Sequence, residues 1–167
     1  MEKLYFILKL QLNKQIRFLI WYSDELDGLL TDSINNKILA FRDEKEAIEF
    51  AKSKGIKIQQ EEPALYNLDN VQELVKGKNQ DLDCNTLLST WNLFTDAVTT
   101  LNVEFVGNKK DKITNKIYDK LFYGSNLPAI TPNGKEYTPL WTKSELTKMT
   151  EVMDEGIRIL NNNLKEI

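Results

Sequence analysis

Two alternating runs near the start of the chain place the strongest constraint on its fold. From Leu4 to Leu12, residues Leu4, Phe6, Leu8, Leu10 and Leu12 share one side of an extended strand, and Tyr5, Ile7, Lys9 and Gln11 share the other. Asn13-Lys14-Gln15 is a short polar break, after which Ile16, Phe18, Ile20 and Tyr22 oppose Arg17, Leu19 and Trp21. Side chains alternate faces along a strand, so two such runs around a short polar connection read as an antiparallel hairpin.

The acidic stretch Ser23 to Gly28 ends in a turn residue, and a third strand is predicted at Lys37 to Phe41. Asp43 then offers an N-cap, with acidic residues in the first turn, apolar Ala47, Ile48, Phe50 and Ala51, and Gly55 as the residue past the end. Ile56-Lys57-Ile58 reads as a short fourth strand, and Gln59 to Tyr66, with Glu61, Glu62 and Pro63, as a linker. Helical signals follow. Leu68 to Lys76 is closed by Gly77, and Asp83 caps a longer helix with Leu87, Trp91, Phe94, Val98 and Leu101 at spacings of three or four. A third begins near Asp111 with Ile113, Ile117 and Leu121 on one face and Gly124 past its end. Gly124 to Trp141, with three prolines and Asn133-Gly134, is an ordered irregular segment. Thr142 and Glu145 have capping-box spacing. They open a last helix with Leu146, Met149, Met153, Ile157 and Leu160 facing inward. The expected class is α+β: one domain over 1–167, with a small N-terminal antiparallel sheet and a packed helix over 1–60 and a mainly helical part over 67–167.

Histidine is absent from all 167 residues. This excludes Ser-His-Asp and Cys-His chemistry, His-ligated zinc and an imidazole base. Cys84 is the single thiol, so it forms no internal bridge; it fits a reducing cytoplasm and reads as a small buried hydrophobe rather than a nucleophile. No basic, apolar and small-residue succession of a signal peptide is visible, and Phe18 to Tyr22 falls far short of the roughly 20 apolar residues that span a membrane. A net charge of −3 argues against non-specific nucleic-acid binding and suits a basic partner. Acid pairs such as Asp24-Glu25, Asp43-Glu44, Glu61-Glu62 and Asp81-Asp83 lie in no EF-hand, Walker or glycine-rich phosphate motif. They read as caps and solvated surface, with a carboxylate- or metal-dependent hydrolase kept as an alternative. The expectation is no enzyme and no cofactor.

Two groups are candidates for contact with a partner protein. Asp24, Glu25, Asp27 and Asp32 place four carboxylates in nine positions, an edge able to imitate phosphates and steer association. Tyr123, Tyr137 and Trp141 stand beside prolines, and tyrosine and tryptophan are favoured at interface hot spots. A peptide-binding adaptor, using an edge strand or this proline-aromatic segment, is a further alternative.

The stretches Asp83-Cys84-Asn85-Thr86-Leu87-Leu88-Ser89-Thr90-Trp91-Asn92-Leu93-Phe94-Thr95-Asp96 and Ile117-Tyr118-Asp119-Lys120-Leu121-Phe122-Tyr123-Gly124-Ser125-Asn126-Leu127-Pro128, with the hairpin and the Ala47 to Ala51 helix, resemble small immunity proteins of bacterial polymorphic toxin systems, including contact-dependent growth inhibition. The resemblance is one of size, style and segment order. It implies a cytoplasmic antidote that binds and neutralises a cognate toxin domain, often a nuclease, and it assigns no site residues.

Overall fold

The hairpin forms as its alternation dictates. In the computed structural model, which describes residues 2–167, β1 (Leu4–Leu12) pairs antiparallel with β2 (Gln15–Ser23), Leu8 opposite Leu19 and Ile7 opposite Ile20. Asn13 and Lys14 take φ of 53° and 62°. Positive φ at both central residues suits the right-handed twist of a two-residue hairpin. Asparagine tolerates it and lysine resists it, so this turn needs help. Asp69 supplies it, its carboxylate accepting from the Asn13 N–H at 2.8 Å and the Lys14 N–H at 2.9 Å. Removing it in Asp69→Ala is expected to cost about 1.5 kcal/mol, seen as a lower urea midpoint at unchanged slope. Asp69→Asn, which keeps one acceptor, should lose less.

Two compact units emerge along the chain. The first takes residues 1–69, 96–103 and 158–167, and the second takes 70–95 and 104–157. In the first, the sheet runs β3-β2-β1-β5, with β3 at Gly28–Leu29 and β5 at Ala64–Asn67. A second sheet pairs β4 (Ile38–Ala40) with β6 (Leu164–Glu166). One apolar face of the hairpin, Ile7 and Ile20, is sealed by Leu39, Phe41 and the Ala47 and Ala51 stripe of α1 (Glu44–Ser53). Leu8, Leu10, Leu12 and Leu19 of the opposite face are buried too. Helix α1 starts where its cap lies, the Asp43 carboxylate accepting from the Glu46 N–H at 2.7 Å. It stops at Lys54, with Gly55 at φ 72° supplying the left-handed exit.

The class is α+β, and several details depart from the sequence reading. The sheet is mixed, not purely antiparallel, because β5 lies parallel to β1 with Leu8 opposite Ala64. β5 begins inside the expected Gln59 to Tyr66 linker, just after Glu61, Glu62 and Pro63, and runs one residue past it to Asn67. The expected Ile56 to Ile58 strand shrinks to one bridge between Tyr5 and Ile58. Ile56 still donates to the Ala51 carbonyl to close the helix, so only Ile58 and the Gln59 N–H reach Tyr5 before the chain leaves. The C-terminal β6 was not expected.

In the second unit, helix α2 (Leu68–Lys76) contributes its later turns, α3 (Cys84–Leu101) its first part, α4 (Lys112–Gly124) its whole length and α5 (Lys143–Asn162) its run up to Ile157. The caps sit where they were read: Asp83 accepts from the Thr86 N–H at 3.1 Å and Asp111 from the Thr114 N–H at 2.8 Å. The Thr142 hydroxyl accepts from the Glu145 N–H at 3.1 Å, and Glu145 Oε1 accepts from the Thr142 N–H at 2.8 Å. The stripe of Leu87, Trp91 and Phe94 is buried, with Ile117, Leu121, Met149 and Met153. Gly124 is the last residue of α4 rather than lying beyond it. A Cβ there would stand 2.7 Å from Cys84 Sγ and 2.8 Å from Pro139 Cγ, so the missing side chain lets the proline segment close on the helix. No helix among the described residues is long and apolar enough to cross a membrane.

Candidate functional site

The acidic corner is built by the end of β2 and the turn into β3. The Asp24 N–H donates to Asp27 Oδ1 at 3.3 Å, and Asp24 Oδ1 accepts from the Glu25 N–H at 2.9 Å. These bonds fold the turn tightly and push Leu26, at 70% exposure, out into water between the acids. Gly28 permits the fold to close, since a Cβ would meet the Tyr22 hydroxyl at 2.4 Å and Thr100 Oγ1 at 2.6 Å. Across the turn lies Asp96, near the end of α3, its carboxylate accepting from Trp21 Nε1 at 2.9 Å. Burial pushes the Asp96 carboxyl above its ordinary pKa, the Trp21 N–H pulls it back, and the Asp27 charge adds to the rise. The one ion pair at the corner among the described residues is a loose one, Lys3 Nζ to Asp24 Oδ2 at 4.0 Å.

Asp32 leaves this group. The chain turns so that the Asp32 N–H donates to the Lys37 carbonyl, and its carboxylate, 10% exposed, faces Lys165 Nζ at 2.6 Å. The Lys165 hydrogen bond, followed by the Ile34 N–H, holds its pKa below the usual carboxylate range. That ion pair already occupies the Asp32 carboxylate. The edge therefore consists of Asp24, Glu25 and Asp27.

The aromatic group divides as well. Trp141 is buried at 5% exposure and belongs to the core, not to a contact surface. Its N–H and C=O are both taken by Gln80, at 2.8 Å to Oε1 and 2.7 Å from Nε2. Asn126 treats Tyr137 the same way, Oδ1 accepting from its N–H at 2.8 Å and Nδ2 donating to its C=O at 3.0 Å. Each amide side chain imitates a strand neighbour, and the pair pins the irregular segment in place. Tyr123 and Tyr137 come together at the surface, lining a groove of about 480 Å³ with Lys116, Asp119 and Lys120. Leu127, Ile130 and Leu140 of the same segment are exposed. Sequence reasoning missed Asn126, Gln80 and Asp96 because each acts on a partner remote in the chain.

Cys84 is buried, and desolvation together with Asp83 pushes its thiol pKa up, which disfavours the thiolate. Among the described residues, no three His, Cys, Asp or Glu side chains gather as metal ligands.

The architecture is that of a small α+β protein, with a four-stranded mixed sheet, a two-stranded sheet and five α-helices among the described residues. No family model and no curated protein matches the sequence. Among solved structures the chain is similar to the crystal structure of the SatS c-terminal domain in complex with bromine, at TM-score 0.52 and 11% identity, covering 98% of this chain and 94% of that one. At that identity the likeness concerns the fold alone.

Proposed function

We propose that this chain is a non-catalytic binding protein of the cytoplasm, an immunity protein that holds a cognate toxin domain in a stoichiometric complex. The observation that carries the reading is the acidic corner: an apolar Leu26 at 70% exposure in the turn that carries Asp24, Glu25 and Asp27. An exposed apolar side chain beside carboxylates offers a partner both area to cover and charge to meet, and the carboxylates would steer it toward a cationic groove such as that of a nuclease. The resemblance to immunity proteins supports the same partner.

The test is co-expression with the product of the adjacent gene. A toxic, basic neighbour that co-purifies one to one is the expected result. Reversing the corner in Asp24→Lys/Glu25→Lys/Asp27→Lys should slow association by about tenfold or more at low salt, with less effect at high salt. Leu26→Ala should instead speed dissociation. A neighbour that is harmless and does not bind, or binding indifferent to both variants, would overturn the reading.

A second reading, a peptide-binding adaptor, is favoured by the Tyr123 and Tyr137 groove. Peptides docking in aromatic-lined grooves depend on such ring pairs. In that case Tyr123→Ala and Tyr137→Ala abolish capture while the acid variants leave it intact.

A further inference from the structure

The basic turn Gly107-Asn108-Lys109-Lys110 is left unused by either reading, yet it closes one side of a cavity of about 440 Å³ in the second unit. That volume lies in the range of small-molecule sites, roughly 300–1,000 Å³. Trp91 and Tyr118 line it edge-to-face, with ring centroids 5.4 Å apart. Gly107 lets the turn lie close over the indole, since a Cβ there would stand 2.6 Å from Phe105 Cε2 and 3.0 Å from Trp91 Nε1.

The polar groups of this cavity are biased toward donors. The Tyr118 hydroxyl donates to Asn92 Oδ1 at 2.8 Å, and the Thr95 hydroxyl donates to Asn108 Oδ1 at 3.2 Å. Each bond occupies one of the amide oxygen's two lone pairs, fixes the amide's orientation and leaves an NH₂ group over. Asn115, also in the lining, makes no side-chain hydrogen bond among the described residues. Lys109 and Lys110 add two ammonium groups against the single carboxylate of Asp119. Neither lysine makes an ion pair within 4.0 Å among the described residues. The nearby carboxylate of Asp111 caps α4 through the Thr114 N–H and keeps its charge, which Lys109 feels without closing to an ion pair. A pocket with free NH₂ groups, an unpartnered Thr114 hydroxyl and two cations is matched by a ligand rich in acceptor oxygens.

We propose that this cavity binds a small phosphate-bearing molecule, its oxyanion held by Lys109 and Lys110 and its other acceptors by the amides of Asn92, Asn108 and Asn115. The site is independent of the acidic corner, which belongs to the other unit, so either proposal can fail alone.

The experiment is a titration of the full chain, followed by two-dimensional NMR of side-chain NH groups, with inorganic phosphate, ribose 5-phosphate, adenosine monophosphate and citrate as probes. The expected result is saturable movement of the Trp91 indole N–H and of the Asn92, Asn108 and Asn115 NH₂ signals with at least one phosphate probe. A preference for the sugar phosphate or nucleotide over inorganic phosphate would mark a metabolite site, and equal affinity a site for the free ion. Lys109→Ala/Lys110→Ala should weaken binding by about tenfold or more, the loss of charge-assisted bonds, with the remaining signals of the folded protein unchanged. Asn115→Ala should weaken it by a smaller factor. No saturable movement with any phosphate probe, citrate binding as tightly as the phosphates, or shifts that survive unchanged in the double lysine variant would overturn the proposal.

Discussion

Gly156→Ala is expected to destabilise the protein by about 3 kcal/mol, although alanine is the better helix former by about 1 kcal/mol at an exposed site. The reason is space. Gly156 is buried in the interior of α5, and a Cβ built on it would lie 2.1 Å from Phe94 Cδ2 and 2.4 Å from Phe94 Cε2. Phe94 cannot step aside, because it is 1% exposed and set edge-on to Phe105 with centroids 6.0 Å apart. The helices must therefore separate, or the ring must leave its rotamer, and either loses packing along α3 and α5. Urea unfolding should show a lower midpoint at unchanged slope. Adding Phe94→Leu to Gly156→Ala should cost less than the sum of the two singles, since the smaller side chain makes room for the methyl. A Gly156→Ala protein as stable as the parent would refute the packing described here.

Lys120→Met should do comparable damage by a different route, about 3–5 kcal/mol, because it strands a buried charge. Lys120 Nζ lies 2.7 Å from Glu145 Oε1 and 2.7 Å from the Leu140 carbonyl, while the Glu145 side chain is 3% exposed with Oε2 lacking any partner. Burial alone would raise the Glu145 pKa. The Lys120 hydrogen bond, the Thr142 N–H and the Lys120 charge outweigh it and leave the carboxyl below its ordinary value. A carboxyl depressed in the folded state adds stability above its unfolded pKa, about 4.3, and loses it as pH falls through the folded value. Without Lys120 the sign inverts. Burial then dominates, the folded pKa rises above the unfolded one, and the variant should gain stability as pH falls through the raised value toward about 4.3, whereas the parent loses stability only below that point. Lys120→Met/Glu145→Gln should recover most of the loss, since the amide keeps an acceptor for the Thr142 N–H and carries no charge. Parallel pH profiles for parent and Lys120→Met would show that the pair does not work this way.

Local signals carried far in this sequence. Asp43, Asp83, Asp111 and Thr142 each act on an amide three residues on, so those helix starts were readable from spacing alone. The hairpin was readable because its two runs lie side by side in the chain. β5 and β6 were not, since strands of four and three residues are defined by their partners rather than by their own composition. The candidate corner behaved likewise. Asp24 and Asp27 bond within their own turn and were legible as a group. Asp32 looked equivalent until Lys165, far along the chain, claimed it. Trp141 carried the composition of a hot spot, and the Gln80 clamp that buries its backbone had no local mark.

The pairing of β4 with β6 has a temporal consequence. Ile38 and Leu39 wait for Leu164 and Lys165, and Arg17 for the two carboxylate oxygens of Glu166 at 2.8 and 3.1 Å. During synthesis at about 5–20 residues per second, the nascent hairpin spends several seconds with that flank uncovered while everything in between is translated. Contacts of such long sequence separation close slowly even in the finished polypeptide. The hairpin strands, made well before β6, are thus among the last to be completed, and a chaperone would meet the nascent chain with a formed hairpin and a bare seam.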